Sequence, residues 1–127
     1  MVETLSLGLI LFAHGARDPQ WAEPFERLRA KIRAVRPEMP VALAYLELMA
    51  PDLGAAVDQL VATGCRRLRV VPVFLGQGGH VRRDLPQLVD AASARHTAVV
   101  IELAPPVGEN DAVLDQIVAV CLDGIPG

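Results

Sequence analysis

Two histidines in this chain stand beside glycine at the ends of apolar runs: His14 in LILFAHGARDP and His80 in VFLGQGGHVRRDLP. A lone histidine is commonly structural or solvent-facing, but two that close separate apolar runs in glycine-containing turns point to a shared task. Glu47, just beyond a third run in VALAYLE, adds a carboxylate that can cap, pair with an arginine, ligate or accept a proton. Imidazoles with a carboxylate suit divalent ions of borderline softness such as Zn, Co, Ni or Fe(II), and imidazole serves near neutral pH as ligand or as base. Arg17, Arg82 and Arg83 flank the histidine turns, either as ordinary solvated charge or as donors to substrate carboxylates.

The glycine cluster Gly76-Gln77-Gly78-Gly79 must also be weighed as a phosphate loop, since backbone N–H groups at a helix start bind anions. Val81 stands where a GxGxxG fingerprint needs its last glycine, and no GK[ST] occurs, so nucleotide binding lacks support. The glycines are better suited to a tight turn, with Gly78 and Gly79 keeping bulk away from a large flat ligand beside His80. His96, in ARHT, is read as a helix-end or solvent-facing residue.

Elements that would bring these residues together follow from the periodicity. Leu7–Ala13 is nearly unbroken Leu, Ile and Phe, a strand buried on both faces. After Asp18-Pro19, a capping residue and first-turn proline, Trp21, Phe25, Leu28, Ile32 and Val35 form one apolar helical stripe closed by Pro37. Val41–Leu46 is the second strand, and a helix opened by Pro51-Asp52 and stopped at Gly64 carries Leu53, Val57, Leu60 and Val61. Leu68–Leu75 is the third strand, followed by a helix across Leu85, Leu88, Val89 and Ala92. Ala98–Leu103 is the fourth, and a last helix after Asn110 or Asp111 turns Val113, Ile117 and Val120 or Cys121 inward.

This alternation predicts an α/β fold: a three-layer αβα sandwich around a four-stranded parallel sheet, order 2-1-3-4, with a crevice at the carboxyl ends of strands 1 and 3. His14, Glu47 and His80 then project from one edge of three adjacent strands. The whole chain, residues 1–127, is read as a single domain, long enough to bury a core without disulfides.

Composition narrows the ligand. Fifteen Asp and Glu against twelve Lys and Arg give a net charge of −3, which disfavours a nucleic-acid binder. Lys31 is the only lysine among the twelve cations, so anions would be held by guanidinium forks. Cys65 and Cys121, without CxxC or Cys/His spacing, read as buried small hydrophobes in the reducing cytoplasm. The run LSLGLILFA follows Glu3 rather than positive charge and is shorter than the ~18 apolar residues of a membrane span, so it is read as a strand and no membrane association is expected.

The segments LILFAHGARDP, YLELMAPDL and VVPVFLGQGGHVRRDLP, in this order and spacing, closely resemble the sirohydrochlorin cobaltochelatase and ferrochelatase family, the small class II tetrapyrrole chelatases. Ala16 departs from the serine usual in that family's HGSRD stretch. The resemblance implies ATP-independent insertion of a divalent metal into sirohydrochlorin for cobalamin or sirohaem synthesis. Cobalt is the first expectation and Fe2+ or Ni2+ the alternatives, with no cofactor beyond the metal substrate. It implies metal binding at His14 and His80 and places the acidic member at Glu47. Many members have two such halves around a cleft; the short form closes its cleft as a homodimer. Two rival readings are a non-enzymatic metal or tetrapyrrole carrier and a flavodoxin- or receiver-like binding module. The receiver version needs acidic residues after strand 1 and a late lysine, and this chain has neither.

Overall fold

In the computed structural model, which describes residues 6–127, the chain forms the expected α/β sandwich. Glu3 and Leu5, at the head of the N-terminal apolar run, lie outside the described residues. The elements are β1 (Leu7–Ala13), α1 (Glu23–Val35), β2 (Val41–Tyr45), α2 (Leu53–Ala62), β3 (Arg67–Pro72), α3 (Gly79–Arg95), β4 (Val100–Leu103) and α4 (Asp111–Leu122). Short 3-10 turns at Pro19–Ala22 and Val107–Glu109 lead into α1 and α4. The sheet order is β2-β1-β3-β4, all pairs parallel, with Ala13 opposite Tyr45 and Phe12 opposite both Ala44 and Pro72. β1 is central because its unbroken apolar run tolerates burial from both sides.

One face of the sheet packs under α2 and α3. Ile10, Phe12, Leu68 and Val70 meet Leu53, Val57, Leu60, Val81 and Leu85 in the main core. Fully burying each such side chain contributes about 1.5–3 kcal/mol. Gly8 fits here because a Cβ would come within 2.9 Å of Cys65 Sγ and of Leu68, so the strand can press against α2 and its exit. The other face packs under α1, where Leu11, Leu43 and Tyr45 meet Trp21, Phe25, Leu28 and Ile32. Asp18 Oδ1 accepts from Gln20 N, and Asp52 Oδ1 from Ala55 N, each at 2.9 Å, as their positions before the two helices predict.

Several details differ from the sequence reading. Val35 leaves the α1 stripe at 77 % exposure because it is the last residue of the helix, past the edge of the sheet. Leu88 is exposed too, since the buried line of α3 runs through Val81, Leu85, Val89 and Ala92. β3 ends at Pro72 rather than Leu75, and β4 begins at Val100 rather than Ala98. No residue of α4 is fully buried: Val113 and Ile117 are half-buried, Val120 is 75 % exposed and Cys121 is also on the surface, because α4 packs chiefly on the turn before it. Only Cys65 is the buried thiol expected of both cysteines.

Candidate functional site

His14 leaves β1 at the centre of the carboxyl edge. The β1–β2 ladder continues past the strands, with Leu46 N donating to Ala13 O at 2.9 Å and Glu47 N to His14 O at 3.1 Å. The Glu47 backbone is thereby fastened beside His14. Gly15 makes this possible: its φ is +93°, and a Cβ there would stand 1.8 Å from the Glu47 carbonyl oxygen. On the other side, Val73 N donates to Phe12 O at 2.8 Å and carries the chain on to Phe74. The Phe74 ring lies against the His14 imidazole, centroids 4.7 Å apart, and meets Phe12 edge-on at 6.4 Å. His14 is half-buried between a carboxylate-bearing loop and an aromatic wall, while the Glu47 side chain is exposed.

His80 is not in a loop. It is the second residue of α3, whose N-cap is Gly78. Its side chain is 67 % exposed, and Nε2 lies 3.1 Å from Asp84 Oδ2 one helical turn on. Arg83 Nε approaches the other carboxylate oxygen at 3.6 Å. Asp84 is thus a partner of His80 that the sequence reading missed, although the i,i+4 spacing was there to find. Phe74 was missed for a different reason: VFL read as strand interior, whereas it lines the edge.

The glycine cluster needs a similar correction. None of Gly76, Gly78 and Gly79 has a left-handed backbone, so no tight turn demands them. A Cβ at any of the three would meet nothing within 4 Å, so the space beside His80 is open, as a bulky ligand requires. Arg17, Arg82 and Arg83 are all exposed around this edge, and Arg82 Nη2 donates to the Gln77 carbonyl at 3.5 Å. Arg82 also lines a hollow of about 310 Å³ with Pro72, Gln77, Leu85 and Pro105. Among the described residues, no group of three or more His, Cys, Asp or Glu is close enough to hold a metal ion. His14, Glu47 and His80 therefore share an edge without forming a closed metal centre within one chain.

His96 belongs elsewhere. Its Nε2 and Arg95 Nη2 each lie 2.7 Å from Asp58 Oδ1, joining the end of α3 to α2. These hydrogen bonds, His96 first and Arg95 second, hold the Asp58 carboxyl below the ordinary aspartate range. Among the described residues no helix is long and apolar enough to cross a membrane.

Comparison with known proteins gives this edge a context. The CbiX family model matches residues 8–121. The sirohydrochlorin cobaltochelatase of Methanococcus aeolicus is 31% identical over 64% of this chain, and the chain spans 57% of that protein's length. The sirohydrochlorin cobaltochelatase of Saccharolobus solfataricus is 29% identical, and the alignment covers 88% of this chain and 91% of that one. A CbiX protein of known crystal structure from Marinobacter aquaeolei VT8 superposes with a TM-score of 0.80 at 36% identity, covering 91% of this chain and 93% of that one. Motif, fold and family model coincide on the same residues: the chain belongs to the CbiX family.

Proposed function

We propose that this protein inserts a divalent metal ion, cobalt first, into sirohydrochlorin without ATP, acting as a cobaltochelatase. The observation that carries this reading is the pair of histidines, His14 just beyond β1 and His80 in the first turn of the helix that follows β3, the two strands between which the winding of the sheet reverses. The names of the relatives supply the substrate: both cobaltochelatases cited above act on sirohydrochlorin.

The chemistry asks three things of the protein. Water must be stripped from the ion, two pyrrole N–H protons must leave, and the ion must reach the macrocycle face. In the proposed mechanism His14 and His80 exchange imidazole nitrogen for water on the incoming metal. Borderline ions such as Co2+, Fe2+ and Ni2+ all accept that ligand, so ferrochelatase activity belongs to the same proposal. Glu47, on the loop fastened to the His14 backbone, accepts a proton from the pyrroles, as does whichever imidazole the metal has left. Each turnover releases two protons and the metallated ring. Arg17, Arg82 and Arg83 grip the ring's peripheral carboxylates, and Gly78 and Gly79 leave room for its edge. No cofactor beyond the metal substrate enters this scheme, and the two free cysteines suit a reducing cytoplasm.

Two donors on one open edge leave the macrocycle uncovered on one side, so we further propose that two copies pair to close the cleft. Following sirohydrochlorin absorbance with excess cobalt separates the enzyme from a carrier. An enzyme converts many equivalents of tetrapyrrole per chain, whereas a spectral change that stops at one equivalent supports the carrier and contradicts the enzyme.

A further inference from the structure

A left-handed backbone at a residue other than glycine costs energy and persists only where the surroundings force it, so such residues gather at working sites. Among the described residues Leu48 is the one case, with φ +68°. Both of its neighbours are tied down. Glu47 N donates to His14 O, Met49 packs on the core beneath α1, and Tyr45 N closes the loop by donating to Pro51 O at 2.9 Å. Between these fixed points the Leu48 side chain is left 57 % exposed, although burying it would be favourable.

Leu75 repeats this placement across β1. The strands β2 and β3 flank β1, and Leu48 and Leu75 each stand three residues beyond the end of their strand, at Tyr45 and Pro72. Leu75 is 62 % exposed, and its backbone is held by the turn before α4: Gly108 N donates to Phe74 O at 3.1 Å, and a Cβ on Gly108 would stand 1.9 Å from the Leu75 carbonyl oxygen. Strands two places apart in a sheet are separated by about 10 Å, a span that a four-ring macrocycle can bridge. The carboxyl edge thus has an apolar middle, Leu48 and Leu75 beside His14 and the Phe74 ring, and a cationic fringe of Arg17, Arg82 and Arg83. The matching ligand has a flat apolar face and carboxylates around its rim.

Resting on the function put forward above, we propose that Leu48 and Leu75 bear on the face of the tetrapyrrole, so that apolar contact holds the ring over His14 while the arginines hold its rim. The strain at Leu48 then serves binding and works against stability, a signature that an ordinary structural leucine lacks. Asparagine enters the left-handed region more readily than leucine, so Leu48→Asn keeps the path of the loop and deletes the apolar contact. Such a variant is at least as stable as the parent and binds the ring more weakly.

The test compares the full-length parent with Leu48→Asn, Leu48→Met and Leu75→Ser by urea unfolding, by cobalt insertion with each substrate varied, and by absorbance titration of sirohydrochlorin without metal. The KM for sirohydrochlorin should rise roughly 3- to 20-fold in Leu48→Asn and Leu75→Ser, the worth of about half a leucine's burial, with the cobalt dependence unchanged. Leu48→Met keeps the apolar surface and should stay within about twofold of the parent. The urea midpoint of Leu48→Asn should equal or exceed the parent's. A parental KM in both Leu48→Asn and Leu75→Ser overturns the leucine contact and leaves the chelatase reading standing. So does a fall in the urea midpoint of Leu48→Asn with Leu75→Ser unaffected, or a parent dimer that Leu48→Asn turns to monomer, which gives the leucine to the contact between copies. A parent that binds sirohydrochlorin without turnover, and more tightly than Leu48→Asn does, overturns the chelatase reading and supports the contact. A parent that neither binds nor turns over overturns both.

Discussion

The imidazole of His14 rests on the ring of Phe74 at a centroid distance of 4.7 Å, the planes inclined by 40°. The contact limits how far the imidazole can swing, because Phe74 is itself braced edge-on by Phe12. An aromatic contact of this kind contributes about 0.5–1.5 kcal/mol, or roughly 2- to 12-fold in a rate that depends on imidazole placement. Phe74→Leu is expected to lower cobalt insertion within that range while leaving the circular dichroism spectrum unchanged. In a His14→Ala background the same substitution should cost nothing further, and an equal loss there would show that Phe74 acts without His14.

His80 is held by a carboxylate instead. Asp84 lies one turn along α3 with Oδ2 3.1 Å from Nε2, a carboxylate placed to orient the imidazole when His80 takes up metal through its other nitrogen. Asp84→Asn should raise the cobalt concentration for half-maximal rate by about 10- to 100-fold, the range typical of such supporting carboxylates. The tetrapyrrole KM should stay constant. A rise in that KM with unchanged cobalt dependence would assign Asp84 to the ring's carboxylate environment.

Gly15 joins the two halves of the His14 site. Its left-handed backbone would cost a non-glycine residue about 1–3 kcal/mol, before any clash with the Glu47 carbonyl is counted. Gly15→Ala should therefore lower the urea midpoint by the equivalent of more than about 2 kcal/mol and abolish activity. An unchanged midpoint would mean that the His14 and Glu47 loops are not packed as described.

Asp58 offers a pH test away from the site. Its folded-state pKa is depressed by His96 and then Arg95, so its contribution to stability is present above the unfolded aspartate value of about 3.9 and is lost as pH falls through the folded value. Asp58→Asn should melt below the parent at pH 7, and the two melting temperatures should converge below about pH 4. A gap that stays constant down to pH 3 would contradict the assignment.

Much of the architecture could be read from local pattern. The run Leu7–Ala13, the caps Asp18 and Asp52 and the stop at Gly64 lie where the structure has them, and the sheet order follows from the alternation of strands and helices. Two of the differences share one cause, that apolar character does not say what covers it. Phe74 and Leu75 extended the third strand on paper, yet they line the loop beyond it, with Leu75 at 62 % exposure. Val120 continues the inward periodicity of α4 yet is exposed, because α4 packs chiefly on the turn before it and leaves only its residues Val113 and Ile117 half-buried. At Gly78-Gly79-His80, glycines read as a loop, although the first turn of α3 already includes His80; a helix start needs only one extended residue before it. The site residues were legible as types, and the contacts that hold them, Phe74 to His14 and Asp84 to His80, became visible only with the fold.

The central claim is that His14 and His80 together carry metal insertion, and initial rates of cobalt insertion into sirohydrochlorin by the parent chain, His14→Ala and His80→Ala test it most directly. His14, just beyond β1, and His80, in the first turn of α3, both stand outside the main core, so both variants should stay folded by circular dichroism. Each should lose at least about a hundredfold in rate, the low end of what a positioned acid–base or ligand group contributes. Full activity with cobalt in both folded variants would contradict the account.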